Sequence, residues 1–151
     1  MITCDIHMHS SFSSDSESSM ESMIEGAIEK GLKTICFTEH LDYEYPPEDG
    51  KVIFEVDLDA YQKKIKELQD VYRKQIEVLF GIEFGLMPHL ADRYEKIAES
   101  YDFDFIIGSS HLIPAPWYKE DIDYIQKYGK APVSMIHGDP YEKRFWEDRS
   151  V

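Results

Sequence analysis

The sequence predicts an α/β protein built on a parallel sheet. Two observations carry that expectation. Four short, nearly continuous apolar runs alternate with longer segments whose apolar residues recur at helical spacing. Each apolar run also leads directly into a histidine or a carboxylate. Strands that are apolar on both faces, separated by amphipathic helices, are those of a parallel sheet covered by helices. An open doubly wound sheet or a (β/α) barrel would satisfy the pattern.

Met1 to Ile6 is the first apolar run. A helix is expected over Ser19 to Lys30, where Met20, Met23, Ile24, Ala27 and Ile28 share one face and Gly31 is the stop. Leu32 to Phe37 is the second strand. Leu58 to Lys74 is helical by the spacing of Leu58, Tyr61, Ile65, Leu68 and Tyr72. Ile76 to Ile82, Leu90 to Ser100 and Phe103 to Ile107 continue as strand, helix and strand. From about Ile113 onward Pro114, Pro116 and Pro132 interrupt the pattern, and only Tyr118 to Lys127 retains a helical spacing.

A chain of 151 residues suits one domain spanning 1–151. With 42% hydrophobic and 30% charged residues it reads as globular, and no apolar run has the length of a membrane span. The N-terminus has no basic-then-apolar stretch, so a cytoplasmic protein is expected. Thirty acidic against 16 basic residues give a formal charge of −14. That field disfavours nucleic acid and is compatible with a small anion held through metal. Cys4 and Cys36 lie in expected buried strands without Cys-x-x-Cys spacing, and read as reduced, apolar-packing thiols.

The chemistry is at the strand ends. The four runs lead into Asp5-Ile6-His7-Met8-His9, Thr38-Glu39-His40, Gly81-Ile82-Glu83 and Gly108-Ser109-Ser110-His111. Ligands and catalytic groups of parallel α/β folds gather at that edge of the sheet. A lone histidine there is more often a hydrogen-bonded structural residue. Four of the six histidines in the chain fall at these ends, together with a glutamate, which points to a metal site. Alternation places Asp5, His7 and His9 on one side if the strand runs that far. His7 and His9 then bind one cation, Glu83 has two oxygens with which to bridge two, and Asp5 is expected behind an imidazole. Imidazole with carboxylate suits zinc, iron or manganese. His89, after Pro88, reads as a surface or capping residue. Asp15, in the Ser-rich loop Ser10 to Ser19, reads from its residues alone as a turn or capping group. No Gly-x-Ser-x-Gly, P-loop or Cys–His pairing offers a rival chemistry.

In order and type these motifs resemble the polymerase-and-histidinol-phosphatase (PHP) family of phosphoesterases, over roughly Ile2 to His111. Phe12-Ser13-Ser14-Asp15-Ser16, Tyr101-Asp102-Phe103-Asp104-Phe105 and His137-Gly138-Asp139-Pro140-Tyr141 are most similar to its histidinol-phosphate phosphatase branch. The resemblance implies a distorted (β/α)7 barrel, of which this chain would hold about four strands and lack the C-terminal ones. It implies two or three divalent transition-metal ions: His7 and His9 on a first, Glu83 bridging to a second that His111 also holds, and Asp15 with His40 on a third. Glu83 and His111 would be the catalytic pair, with Asp5 and Glu39 behind the ligands. The implied reaction is hydrolysis of L-histidinol phosphate to L-histidinol and phosphate, a step of histidine biosynthesis.

Family members supply a later histidine and an Asp-x-His pair. No Asp-x-His follows His111 here, and the expectation is a truncated or divergent form. His137, Arg144 and Arg149 are the remaining candidates for substrate or replacement contacts, although Arg144 and Arg149, with Lys143, also read as a solvated charge cluster. Two alternatives stand beside the monoesterase: a PHP-type nuclease or phosphodiesterase, and a non-catalytic metal-binding fragment. An open parallel edge after the fourth strand would favour self-association.

Overall fold

The structure is a computed structural model, and it describes residues 2–112. The element order is β1 (Cys4–Met8), α1 (Met20–Glu29), β2 (Thr34–Leu41), α2 (Leu58–Tyr72), β3 (Glu77–Gly85), a 3-10 turn (Pro88–Leu90), α3 (Ala91–Ser100) and β4 (Phe105–Ser109). All strands pair in parallel, in the order β1-β2-β3-β4, so a crossover joins each adjacent pair. The expected α/β class with four parallel strands holds. The chain divides into two compact units, Met1–Ser109 and Ser110–Val151, and every element above belongs to the first. The helical spacing over Tyr118 to Lys127 lies outside the described residues. No described helix is long and apolar enough to cross a membrane.

The helices begin and end where local chemistry requires. Ser19 caps α1 by accepting a hydrogen bond from Ser22 N, and Asp57 caps α2 by accepting one from Ala60 N. Past α1, Gly31 takes a φ of +79°, which turns the chain into β2. Each helix then buries one stripe. Met20, Ile24 and Ala27 of α1, Tyr61, Ile65 and Leu68 of α2 and Tyr94 of α3 pack with Ile35, Phe37, Val78, Phe80, Ile82 and Phe84 of the sheet. A side chain such as Ile24, fully removed from solvent, contributes about 1.5–3 kcal/mol by that burial. The Tyr61 hydroxyl lies 2.8 Å from Phe37 O and 2.9 Å from Gly81 O, tying α2 to both central strands. Gly81 also permits the close approach of β2 to β3. A Cβ there would lie 2.6 Å from Cys36 Sγ and 2.7 Å from Phe37 O.

Two expectations need correction. The outer strands are not buried runs: β1 is exposed along most of its length, and Phe105 and Ile106 of β4 are also exposed. Cys4 is therefore a surface thiol, while Cys36 is buried as expected. Among the described residues β1 and β4 each have one neighbouring strand, whereas β2 and β3 are flanked on both sides.

The strands also run further than their apolar runs. β2 continues to Leu41 rather than Phe37, and β3 to Gly85 rather than Ile82. The ladder is made by backbone groups, so Thr38↔Gly81, Glu39↔Ile82 and His40↔Glu83 pair in unbroken register although four of these six residues are polar. The chemistry-bearing residues of β2 and β3 thus stand on the sheet itself.

Candidate metal centre

Glu83 is the point on which the site converges. It sits on β3, almost wholly buried, and its Oε2 is 2.9 Å from His7 Nε2, 3.2 Å from His9 Nε2 and 3.8 Å from His40 Nδ1. Its Oε1 accepts a hydrogen bond from Ser109 Oγ at the end of β4. Three strands and the residue just beyond β1 therefore meet at one carboxylate.

His7 and His9, two residues apart, reach the same Glu83 oxygen as alternation expects, although the strand is irregular there. The β1–β2 register shifts between Asp5, paired with Ile35, and Met8, paired with Phe37. Three residue steps on β1 thus face two on β2, and such an irregularity re-aims side chains at a sheet margin. His9 lies past the strand end. Asp5 is placed against the main chain of His7, whose N–H donates to Asp5 Oδ1 at 3.3 Å, and not against an imidazole.

The Ser-rich loop after β1 is held by Glu39. This β2 carboxylate is fully buried and accepts from Ser10 N, Ser10 Oγ and Ser13 Oγ. Ser13 Oγ in turn accepts from His40 N at 3.0 Å. The loop closes on itself through Ser11 N to Ser18 O and Ser13 N to Ser10 O. It carries Asp15, whose Oδ2 is 3.5 Å from His40 Nε2. Asp15 caps no helix, since Ser19 does that for α1.

Within the first unit, two groups of side chains bring one ligand atom each to within 4.8 Å of one another: His7 with His9 and Glu83, and His9 with Asp15 and His40. The imidazoles are packed together, His9 stacking on His40 with ring centroids 4.3 Å apart and tilted to His7 at 5.1 Å. Burial lowers the proton affinity of His9, but the Glu83 hydrogen bond and the charges of Asp15, Glu83 and Glu39 outweigh it and raise the pKa. Burial pushes the Glu39 carboxyl above its usual range, against the hydrogen bonds of Ser10 and Ser13 and the charge of His9.

The donor set fits a divalent transition metal. Imidazole nitrogens with carboxylate oxygens are borderline ligands of that kind. His9 Nδ1 is buried with no hydrogen-bond partner, a costly arrangement for a ring nitrogen unless its lone pair is used. Four carboxylates, Asp15, Glu39, Asp42 and Glu83, gather around three imidazoles, and this excess negative charge favours a cation.

His111 follows β4 by two residues, in the segment that opens the second unit. His89 is exposed and 2.9 Å from Glu44 Oε2, a surface pair. His137, Arg144 and Arg149 lie outside the described residues, as does Lys143. Sequence reasoning missed Ser10, Ser13, Asp42 and Ser109. No single serine stands out in a Ser-rich loop, and only strand pairing brings Ser109 to Glu83.

The fold and the clustered His/Glu ligands define a class, and comparison with known families names it. A PHP domain model matches residues 5–144, so this chain belongs to the PHP domain family. Its relatives are histidinol-phosphatases. It is 37% identical over 109 residues to the histidinol-phosphatase of Lactococcus lactis subsp. lactis, covering 72% of this chain and 39% of that protein. It is 36% identical over 109 residues to the probable histidinol-phosphatase of Clostridium acetobutylicum, with the same coverage. The crystal structure of the Lactococcus lactis histidinol phosphate phosphatase, complexed with zinc, L-histidinol and phosphate, superposes with a TM-score of 0.68 at 36% identity. That match covers 74% of this chain and 41% of the other. The chain spans about two fifths of the length of these relatives.

Proposed function

We propose that this chain carries the metal-binding part of a histidinol-phosphate phosphatase, a metal-dependent phosphomonoester hydrolase. The observation that supports the reading most is the convergence of His7, His9 and His40 on one oxygen of buried Glu83. In this reading His7, His9 and Glu83 hold one divalent ion, and Asp15 and His40 hold another. His111 joins Glu83 at a further one, as the family resemblance implies.

Zinc, iron or manganese bound there would supply Lewis acidity toward phosphate oxygens and acidify the attacking water. The chain's own residues do the rest. Glu83 is both ligand and hub, held through Ser109 so that its second oxygen stays on the imidazoles. Glu39 fixes the loop that presents Asp15. The carboxylate-rich surroundings repel a bare phosphate, so anion binding here depends on the cations. The substrate is taken from the relatives: the Lactococcus enzyme was crystallised with L-histidinol and phosphate. The charge of −14 counts against the nuclease alternative.

Metal analysis coupled to phosphate release tests the reading. The purified chain is expected to bind at least one zinc, iron or manganese ion, and to release phosphate from histidinol phosphate and not nucleotides from single-stranded DNA. Less than one ion per chain, or nuclease activity without monoesterase activity, would sink it. Metal binding without turnover would leave the non-catalytic alternative in its place.

A further inference from the structure

We propose that Phe54 is a specificity-determining residue, whose ring is the wall for the alcohol part of a phosphomonoester once cations hold the phosphate. This rests on the function proposed above and deepens it: the substrate class is a phosphomonoester with a planar ring on its alcohol. Phe54 is no ligand, and stands in the segment between β2 and α2.

The ring stands at the margin of the ligand cluster. It meets the His40 imidazole edge-on, with centroids 4.8 Å apart and planes at 63°, while His9 stacks on the same imidazole at 4.3 Å. Tyr45 braces it through a second edge-on contact at 4.8 Å. Phe54 is only partly buried, and Asp15 nearby is exposed. An apolar surface thus remains accessible beside groups that would hold an anion through metal. Small-molecule sites orient their ligands in this way, with a few polar groups against an aromatic side. A planar ring packs on such a side chain in offset or edge-to-face geometry, which a ringless alcohol cannot do.

The backbone holds the ring there against its own preference. Phe54 has a φ of +56°, in the left-handed region that suits glycine and disfavours a bulky side chain. Such a residue persists only where its surroundings over-determine it, and residues of this kind cluster at active sites and ligand clamps. Phe54 N donates to Ser14 Oγ at 3.1 Å, and Phe54 O accepts from Asp42 N at 2.7 Å. Two residues on, Val56 N donates to His40 O at 3.1 Å. The segment is therefore pinned both to the loop that carries Asp15 and to the end of β2 that carries His40. Glycine would make the same backbone bonds without strain, so the phenyl ring is what the strain retains.

The experiment uses the two products of the proposed reaction, so it needs no turnover. The zinc-loaded chain is titrated by calorimetry with inorganic phosphate. With phosphate present, it is then titrated with L-histidinol and with L-alaninol, the amino alcohol that lacks the ring. The wild type is expected to prefer L-histidinol by about 3–10-fold, the size of one aromatic pair. Phe54→Ala should erase that preference and keep the zinc and phosphate affinities. Phe54→Gly should do the same with a urea midpoint no lower than that of Phe54→Ala, because it also relieves the backbone. A preference that survives Phe54→Ala would overturn the proposal. So would zinc and phosphate affinities that fall in step with it, the mark of a ring that serves the fold alone. A Phe54→Gly midpoint below that of Phe54→Ala would remove the strain on which the proposal stands. Zinc and phosphate binding without a preference for L-histidinol in the wild type would sink this inference alone. A wild type that binds neither would sink the phosphomonoesterase reading with it.

Discussion

His40 on β2 and Glu83 on β3 are register partners in adjacent parallel strands. The sheet ladder therefore sets the spacing of a histidine and a carboxylate far apart in the chain, and no loop has to be ordered to bring them together. Sites carried on strands are held more tightly than sites on loops. Glu83 should accordingly be sensitive to chemistry rather than to size.

Glu83→Gln keeps the side-chain volume but removes the charge and one acceptor oxygen facing His7 and His9. Removing a partner behind a ligand commonly costs 10–100-fold in metal affinity, so loss of this hub should cost more than about 100-fold. Equilibrium dialysis against zinc checks this. Retention of wild-type affinity would show that the convergence on Glu83 does not bind metal.

Glu39→Ala should loosen the loop that carries Asp15. It leaves Ser10 N, Ser10 Oγ and Ser13 Oγ without their acceptor in a fully buried position. Unpaired buried donors cost about 1–3 kcal/mol each, with partial relief by water, so a loss of about 2–4 kcal/mol in urea unfolding is expected. Amide exchange of Ser10 and Ser13 should rise first.

Gly81→Ala should destabilise the sheet although it adds a single methyl group. The new Cβ meets Cys36 Sγ, Phe37 O and Thr38 Cγ2 at 2.6–2.8 Å. One of these is backbone, so β2 and β3 must part. A loss of about 3 kcal/mol is expected from such overpacking, measured by urea midpoint. Gly26→Ala is the control: nothing lies within 4 Å of its Cβ. In mid-helix it should be neutral or stabilising.

Cys36 should make stability fall at alkaline pH. Burial pushes its thiol from 9.0 up to about 12, so between those values the unfolded chain gives up a proton that the native chain keeps. The native state binds more protons there, and unfolding free energy drops as pH rises through that window, by up to about 1.4 kcal/mol per pH unit. The contribution is fully present below pH 9. Cys36→Ala should reduce the slope between pH 9 and 11 in urea titrations while lowering stability at pH 7. Tyr61 and Tyr94, also raised by burial, keep the remaining slope.

Much of this was legible before folding. The three helices appear within one or two residues of their expected ends because caps such as Ser19 and Asp57 and one-sided apolar stripes are local features. Strand ends were less legible. Thr38, Glu39 and His40 look like the end of a run in hydropathy, yet they continue the ladder because the neighbouring strand supplies their hydrogen bonds. Cys4 and Ile6 look like core residues and are exposed, because a strand's burial depends on what lies beside and above it.

The sequence by itself determined the chemistry of the site. Histidines and a glutamate placed after successive apolar runs can only gather at one edge of a parallel sheet, since all such strands end on the same side. Tertiary structure decided the roles. The parallel pairing of the strands brings His7 and His9 to Glu83, the pairing of β3 with β4 puts Ser109 behind it, and the space at Gly85 admits Asp42 beside His40. Those relations depend on register and on close approach between strands, distances of a few ångströms that residue type and spacing along one chain do not encode.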